Sequence, residues 1–202
     1  MATESTVFLV DDDQAVRDSI RFLMKSVGLD LACFANAQDF LEAYDETAPG
    51  CLVLDVRIPG MSGIDLMERL NRMGSRLPVI IISGHADVPI AVQAMKFGAV
   101  DVLEKPFKDQ VLLDRIHAAF EKNRQAIQDS TEKAGIQGRM GLLTPREGEV
   151  LDYMMEGIPP KEIARKMGIA AKTLGIHRGR VLEKLGAKSL PDLVRMVFIA
   201  RR

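Results

Sequence analysis

The sequence predicts an α/β fold with a doubly wound parallel sheet of five strand–helix units, followed by a small all-α unit of four helices. Three observations predict it. Short apolar runs alternate with amphipathic stretches over residues 6–109, the pattern of strands joined by helical crossovers. Several of those runs, PVIII above all, are apolar at every position, as expected of strands covered on both faces. From residue 139 onward the strand-like alternation stops and helical periodicity takes over.

The strands are expected at 6–10 (TVFLV), 29–34 (LDLACF), 51–54 (CLVL), 78–82 (PVIII) and 100–103 (VDVL). Helical patterns lie between them at 14–27, 36–46, 64–73 and 87–98, and a fifth helix begins near 109. In the second unit, helices are expected near 145–156, 160–167, 171–185 and 189–199. Thr144 can cap the first of these, with Pro145 at its first position and Glu147 at its third, a capping-box arrangement. The stretch 123–138, NRQAIQDSTEKAGIQG, is polar, and glycines stand at 135, 138 and 141. It reads as a linker, a helical extension that frays into a hinge, which divides the chain into 1–122, 123–138 and 139–202.

A length of 202 residues suits one domain or two small ones. With 47% hydrophobic and 27% charged residues, collagen-like, low-complexity and disordered readings are excluded. No apolar run approaches the roughly 18–20 residues needed to span a bilayer, so no membrane association is expected. The start, MATESTVFLVDDD, lacks a basic region before its apolar run and does not read as a signal peptide. Cys33 and Cys51 both lie in strand-like runs and are expected to be reduced packing residues in a cytoplasmic protein. The net charge of −1 hides an asymmetry: 1–122 carries 12 basic and 19 acidic residues, and 139–202 carries 13 and 7. A second half at +6 suits a polyanionic partner.

The reactive side chains fall where an open parallel sheet places its active crevice, at the carboxyl ends of the strands. Asp11, Asp12 and Asp13 follow the first strand, Asp55 the third, Ser83 the fourth and Lys105 the fifth. Converging carboxylates repel one another, so the cluster calls for a cation, and oxygen ligands suit Mg²⁺. Lys105 brings a point charge for a phosphoryl group, the Ser83 hydroxyl can donate to one of its oxygens, and Asp55 is placed as a carboxylate nucleophile. Asp13 and Asp18 read as turn or cap residues. There is no GxxxxGK[ST] loop and so no sign of a nucleotide site. In the second half a short helix, the turn MGIA and a longer helix form a helix-turn-helix pattern. Over 171–188 the bases Lys172, Arg178, Arg180, Lys184 and Lys188 face a single acid, Glu183, a footprint suited to DNA phosphates.

On VFLVDDD, LVLDVRIPGMSGIDL and PVIIISGHADVPIAVQAMKFGAVDVLEKPF, residues 5–122 resemble the receiver domain of two-component response regulators, most closely the FixJ-like branch. On LTPREGEVLDYMMEG and KEIARKMGIAAKTLGIHRGRVLEKLGAKSLPDLVRM, residues 142–198 resemble the LuxR-type DNA-binding domain of NarL/FixJ regulators. The first resemblance implies Asp55 as phosphoacceptor, Mg²⁺ held by Asp11, Asp12, Asp55 and the backbone carbonyl of Arg57, phosphoryl contacts from Ser83 and Lys105, and a cis Lys105–Pro106 peptide. The second implies that helix 171–185 enters the major groove, with Lys161, Thr173, Arg178 and Lys184 as phosphate contacts. Together they imply a transcription regulator controlled by a cognate histidine kinase. It would bind double-stranded DNA as a homodimer formed on phosphorylation and engage RNA polymerase. The dimer face would comprise Val88, Ile90, Ala91, Met95 and Val102. Autodephosphorylation is implied, and no enzymatic turnover of an external substrate.

Three departures from the family pattern matter. Val102 stands where receiver domains carry an aromatic residue three before the active-site lysine, and valine has little reach and a stiff χ1. The positions that face base edges fall on Gly175, Ile176 and Gly179. Two of these offer no side chain, and Ile176 can touch a thymine methyl, so Lys172, Arg180 or DNA shape must contribute. Pro159–Pro160 replaces the polar cap before KEIA. The expected result is a weak monomeric binder that depends on dimerisation. A phosphoryl sink or protein-interaction module with little sequence-specific DNA binding is the alternative. His85, near the site, reads as loop structure.

Overall fold

A computed structural model describes residues 5–84 and 88–201. The first unit runs β1 (Thr6–Val10), α1 (Gln14–Ser26), β2 (Asp30–Phe34), α2 (Ala37–Ala43), β3 (Gly50–Asp55), α3 (Gly63–Arg72), β4 (Val79–Ser83), α4 (Val88–Lys96), β5 (Asp101–Glu104) and α5 (Asp109–Met140). The strands form one parallel sheet in the order β2-β1-β3-β4-β5. The fully apolar runs are where the sequence placed them because both sheet faces are covered. On one face Phe40, Ile64, Leu66, Met67, Leu70 and Ala94 of α2, α3 and α4 meet alternate strand residues such as Phe8, Leu52, Leu54 and Ile81. On the other, Ile20 and Met24 of α1 and Leu112 and Ile116 of α5 meet Leu9, Val53, Ile80 and Ile82. Each of the larger of these side chains contributes about 1.5–3 kcal/mol by leaving water.

Where helices were expected at 36–46 and 87–98, the structure is shorter. α2 ends at Ala43 because Tyr44 turns to extended backbone, stacks on Phe40 and places its hydroxyl 2.7 Å from Ser75 Oγ. α4 ends at Lys96, and Gly98 then takes φ 87°. Residues 85–87, and His85 with them, lie outside the described residues. Cys33 and Cys51 are free thiols, and burial pushes that of Cys51 up to about 12.

The stretch 123–138 is helical throughout, as part of α5. Asn123 explains why the helix does not break where polarity begins. It is buried, its Oδ1 accepts from Gly50 N at 3.0 Å, and its Nδ2 donates to Arg76 O at 3.2 Å. The two units divide inside this helix, at Ile127 and Gln128.

The second unit adds α6 (Pro145–Met155), α7 (Pro160–Met167), α8 (Ala171–Leu185) and α9 (Leu190–Arg201) to the last turns of α5. Thr144 and Glu147 form the expected capping box, whereas α7 begins on Pro160 with no side-chain cap. Val150, Leu151, Ile163, Leu174, Val181, Leu185, Leu193 and Val197 make its core. Ile136 of α5 packs on Met196 and Ala200 of α9.

Candidate functional site

The sheet register brings the reactive residues to one edge. Asp55, the last residue of β3, pairs with Ile82, and Ser83, the last of β4, pairs with Glu104. Lys105 N donates to Ser83 O at 2.7 Å, which fixes the lysine one step beyond β5. Oxygen atoms of Asp11, Asp12 and Asp55 lie within 4.8 Å of one another. Asp11 and Ser83 are fully buried, Asp55 is buried and Asp12 is exposed. The Lys105 ammonium donates to Asp11 Oδ2 at 2.7 Å and to Asp55 Oδ2 at 2.9 Å. Asp11 Oδ1 accepts from Asp13 N at 2.9 Å, and Asp55 Oδ1 accepts from Arg57 N at 3.3 Å. The Arg57 backbone is therefore held beside the Asp55 carboxylate, and the Lys105–Pro106 peptide is cis. Asp13 is the cap of α1, its side chain accepting from Ala15 N at 2.8 Å. Asp18 pairs with Arg21.

Burial pushes the Asp11 carboxyl above its ordinary value, against the hydrogen bond from Lys105. Burial also works against the charge on Lys105, but the hydrogen bonds and charges of Asp11 and Asp55 outweigh it and hold the ammonium above its ordinary pKa. One ammonium against three carboxylates leaves the cluster anionic. All-oxygen donors, one of them open to water, fit a hard divalent cation that keeps part of its hydration.

The residues expected at the dimer face differ in exposure. Val88 and Met95 are exposed, at 75% and 53%, and Ala91 is half-buried. Ile90 and Val102 instead pack against the core on the α2–α3–α4 face of the sheet. Ile90 lies on the inward side of α4 and Val102 on β5, both half-buried, while Val92, two positions after Ile90, is 47% exposed. Val88, Val92 and Met95 make the outward apolar stripe.

On α8, Lys172, Thr173, Ile176 and Arg180 are exposed, with Ile176 at 50%. Lys161 is exposed in the first turn of α7. Gly175 and Gly179 have open space where a Cβ would stand. Arg178 is half-buried. Lys184 is not part of this outward set. Its ammonium donates to the buried Glu147 Oε2 at 2.6 Å and to Leu142 O at 3.0 Å, because Glu147 requires a cation once the capping box has buried it.

Comparison with known proteins now applies. Residues 7–117 match the response regulator receiver domain family, and residues 141–197 match the luxR family of bacterial regulatory proteins. The chain is 41% identical over 200 residues to the transcriptional regulatory protein FixJ of Bradyrhizobium diazoefficiens, covering 99% of this chain and 98% of that one. It is 44% identical over 194 residues to the transcriptional regulatory protein TdiR of Thauera aromatica, covering 96% and 86%. The solved structure of the response regulator StyR matches with a TM-score of 0.86 at 40% identity, covering 96% of this chain and 98% of that one. This chain belongs to the response regulator family. A receiver domain joined to a LuxR-type DNA-binding domain makes this response regulator a phosphorylation-controlled transcription regulator. Among the described residues, no helix is long and apolar enough to cross a membrane.

Sequence reasoning missed two residues of this response regulator. In the sequence Glu147 reads as a cap alone; the lysine 37 positions later that completes its shell carries no local signal. Arg17 was not singled out. Its guanidinium donates to Asp11 O at 2.6 Å, and the signal available was a base six positions after Asp11, within the first helix.

Proposed function

We propose that Asp55 is the phosphoacceptor. An Asp55 carboxylate oxygen attacks the phosphorus of a kinase phosphohistidine; the O–P bond forms as the P–N bond breaks and the imidazole departs. The observation that carries this reading is the convergence of the Lys105 ammonium on Asp11 and Asp55 with Asp12 alongside. Asp11, Asp12, Asp55 and the Arg57 carbonyl would hold Mg²⁺, which when bound offsets negative charge on the transferring group. Lys105 then exchanges a carboxylate partner for a phosphoryl oxygen, and Ser83, at the adjacent strand end, donates to another. The aspartyl phosphate is released by water at the same site, and no external substrate is turned over. The receiver shifts within a pre-existing equilibrium. Two copies meet through α4, and the paired α8 helices enter successive major grooves of a two-fold site. Such a dimer would act in the cytoplasm and touch RNA polymerase.

The bare face at Gly175 and Gly179 favours a second reading, a phosphoryl sink with little sequence-specific DNA binding. One experiment separates them. Solution mass and duplex binding are followed with Mg²⁺ and beryllofluoride, for wild type and Asp55→Asn. Dimerisation and salt-dependent DNA binding in wild type but not in the variant are expected. Equal behaviour of the two proteins overturns Asp55 as the switch, and phosphorylation without DNA binding at any salt supports the sink.

A further inference from the structure

The Asp12 carboxylate is exposed and, among the described residues, makes no hydrogen bond or ion pair. Its backbone alone sets where it stands. Its neighbours are tied down on every side. Asp11 N donates to Phe34 O at 3.2 Å, the Asp11 carboxylate is held by Asp13 N and Lys105, and Asp13 caps α1. The Asp11 carbonyl is the exception. The registered pairs of β1 with both neighbouring strands end at Val10, so this carbonyl has no strand partner. Arg17 supplies the missing donor, Nη1 to Asp11 O at 2.6 Å, while Nη2 donates to Gln14 Oε1. Arg17 N also donates to Asp13 O at 3.1 Å. The half-buried guanidinium thus closes a ring from the first turn of α1 back to the end of β1, using two arms of a rigid fork.

We propose that Arg17 is a positioning residue for the cation site, fixing the Asp11–Asp13 turn and through it the Asp12 carboxylate. This rests on the reading that Asp11, Asp12 and Asp55 hold a divalent cation. Two effects of Arg17 have opposite sign. Its charge, held at the Asp11 carbonyl, opposes a cation bound at the Asp11 end of β1, so removing charge alone tightens binding. Its hydrogen bond organises a ligand, so losing it loosens binding. Partners that orient metal ligands from behind typically govern about 10–100-fold in affinity, and the guanidinium meets the Asp11 carbonyl rather than a carboxylate, so we expect the positioning effect to outweigh the charge.

The test is calorimetric titration of the full chain with MgCl₂ for wild type, Arg17→Met and Arg17→Lys. Hydrogen exchange across residues 11–17 and the Mg²⁺ dependence of phosphorylation by acetyl phosphate accompany it. Arg17→Met is expected to bind Mg²⁺ about tenfold more weakly, with faster exchange confined to the turn and the maximal rate regained at high Mg²⁺. Arg17→Lys, which keeps the charge without the fork, recovers at most part of the loss. Unchanged or tighter Mg²⁺ binding by Arg17→Met overturns the proposal. So does weakened binding that comes with exchange rising across the whole receiver domain. If wild type binds no Mg²⁺, the cation-site reading fails, and this proposal with it.

Discussion

Replacing Gly63 by alanine tests how tightly the phosphoacceptor is positioned. Gly63 opens α3 at the foot of β3, and its N–H donates to Val56 O at 2.9 Å. A Cβ there would stand 2.3 Å from Asp55 O and 3.0 Å from Val56 Cα. Ordinary contact begins near 3.4 Å, so one of two backbones must move by about 1 Å. Neither is free to do so. Every residue of β3 is buried, and Leu66, Met67 and Leu70 fix α3 on the sheet. Overpacking of this kind costs about 1–3 kcal/mol. For a domain of this size that lowers the melting temperature by about 4–12 °C. A misplacement of about 1 Å at a reacting atom can slow chemistry about 100-fold. Phosphorylation of Gly63→Ala by acetyl phosphate is therefore expected to fall about 10–100-fold. The same substitution at Gly175 or Gly179 meets nothing within 4 Å. It should stabilise α8 by about 1 kcal/mol and leave phosphorylation untouched. Scanning calorimetry with a phosphorylation time course reads both. Gly63→Ala that melts and phosphorylates like wild type would refute the reasoning, because it would show that β3 yields without disturbing Asp55.

The Glu147 carboxyl is lowered to about 2 from an ordinary 4.5, first by the hydrogen bond from Lys184 and then by the Thr144 amide. A depressed carboxylate stabilises the fold above its unfolded value and loses that contribution as pH falls through the folded one. The second unit should therefore weaken between about pH 4.5 and pH 2, and Glu147→Gln should flatten that slope in acid-melting curves; an unchanged slope refutes the assignment. On α4, Val92→Asp should keep the fold and abolish the beryllofluoride-induced dimer in light scattering. Ile90→Asp should unfold the receiver, since Ile90 packs on the core. A dimer that survives Val92→Asp moves the interface elsewhere.

What the sequence made legible followed from short-range pattern. Continuous apolar runs announced strands covered on both faces, and their carboxyl ends located Asp11, Asp55, Ser83 and Lys105. Thr144, Pro145 and Glu147 announced a helix start. What it left illegible depends on rotation and on distant partners. Ile90 and Val92 differ by two positions on one helix, and an apolar helix with alanines at 91 and 94 does not declare which side faces in. The polar stretch after Lys122 does not declare that it is helical throughout, because the residue that anchors its start, Asn123, is buried against Gly50, 73 residues away. The pairing of Lys184 with Glu147, 37 residues away, carries no local signal either.

The same logic revises what the positive charge of the second half means. Four of its basic residues are paired locally. Arg146 pairs with Glu149, Lys184 with Glu147, Arg195 with Glu132 and Asp192, and Arg201 with Asp152. Among the described residues of the second unit, Lys161, Arg165, Lys166, Lys172, Arg180 and Lys188 are exposed and carry no ion pair. These lie on α7, on α8 and just beyond the end of α8. Internal pairing thus removes the cations of α6 and α9 from the outward field and leaves it concentrated on the helix-turn-helix. Affinity for phosphates scales with cations that can reach them, not with net charge. A face with two glycines and one isoleucine between Lys172 and Arg180 therefore holds the DNA backbone more firmly than it reads bases. On the proposed reading, specificity comes from pairing two such faces at a fixed spacing, and the proposed control of dimerisation by the receiver would then be the step that sets selectivity.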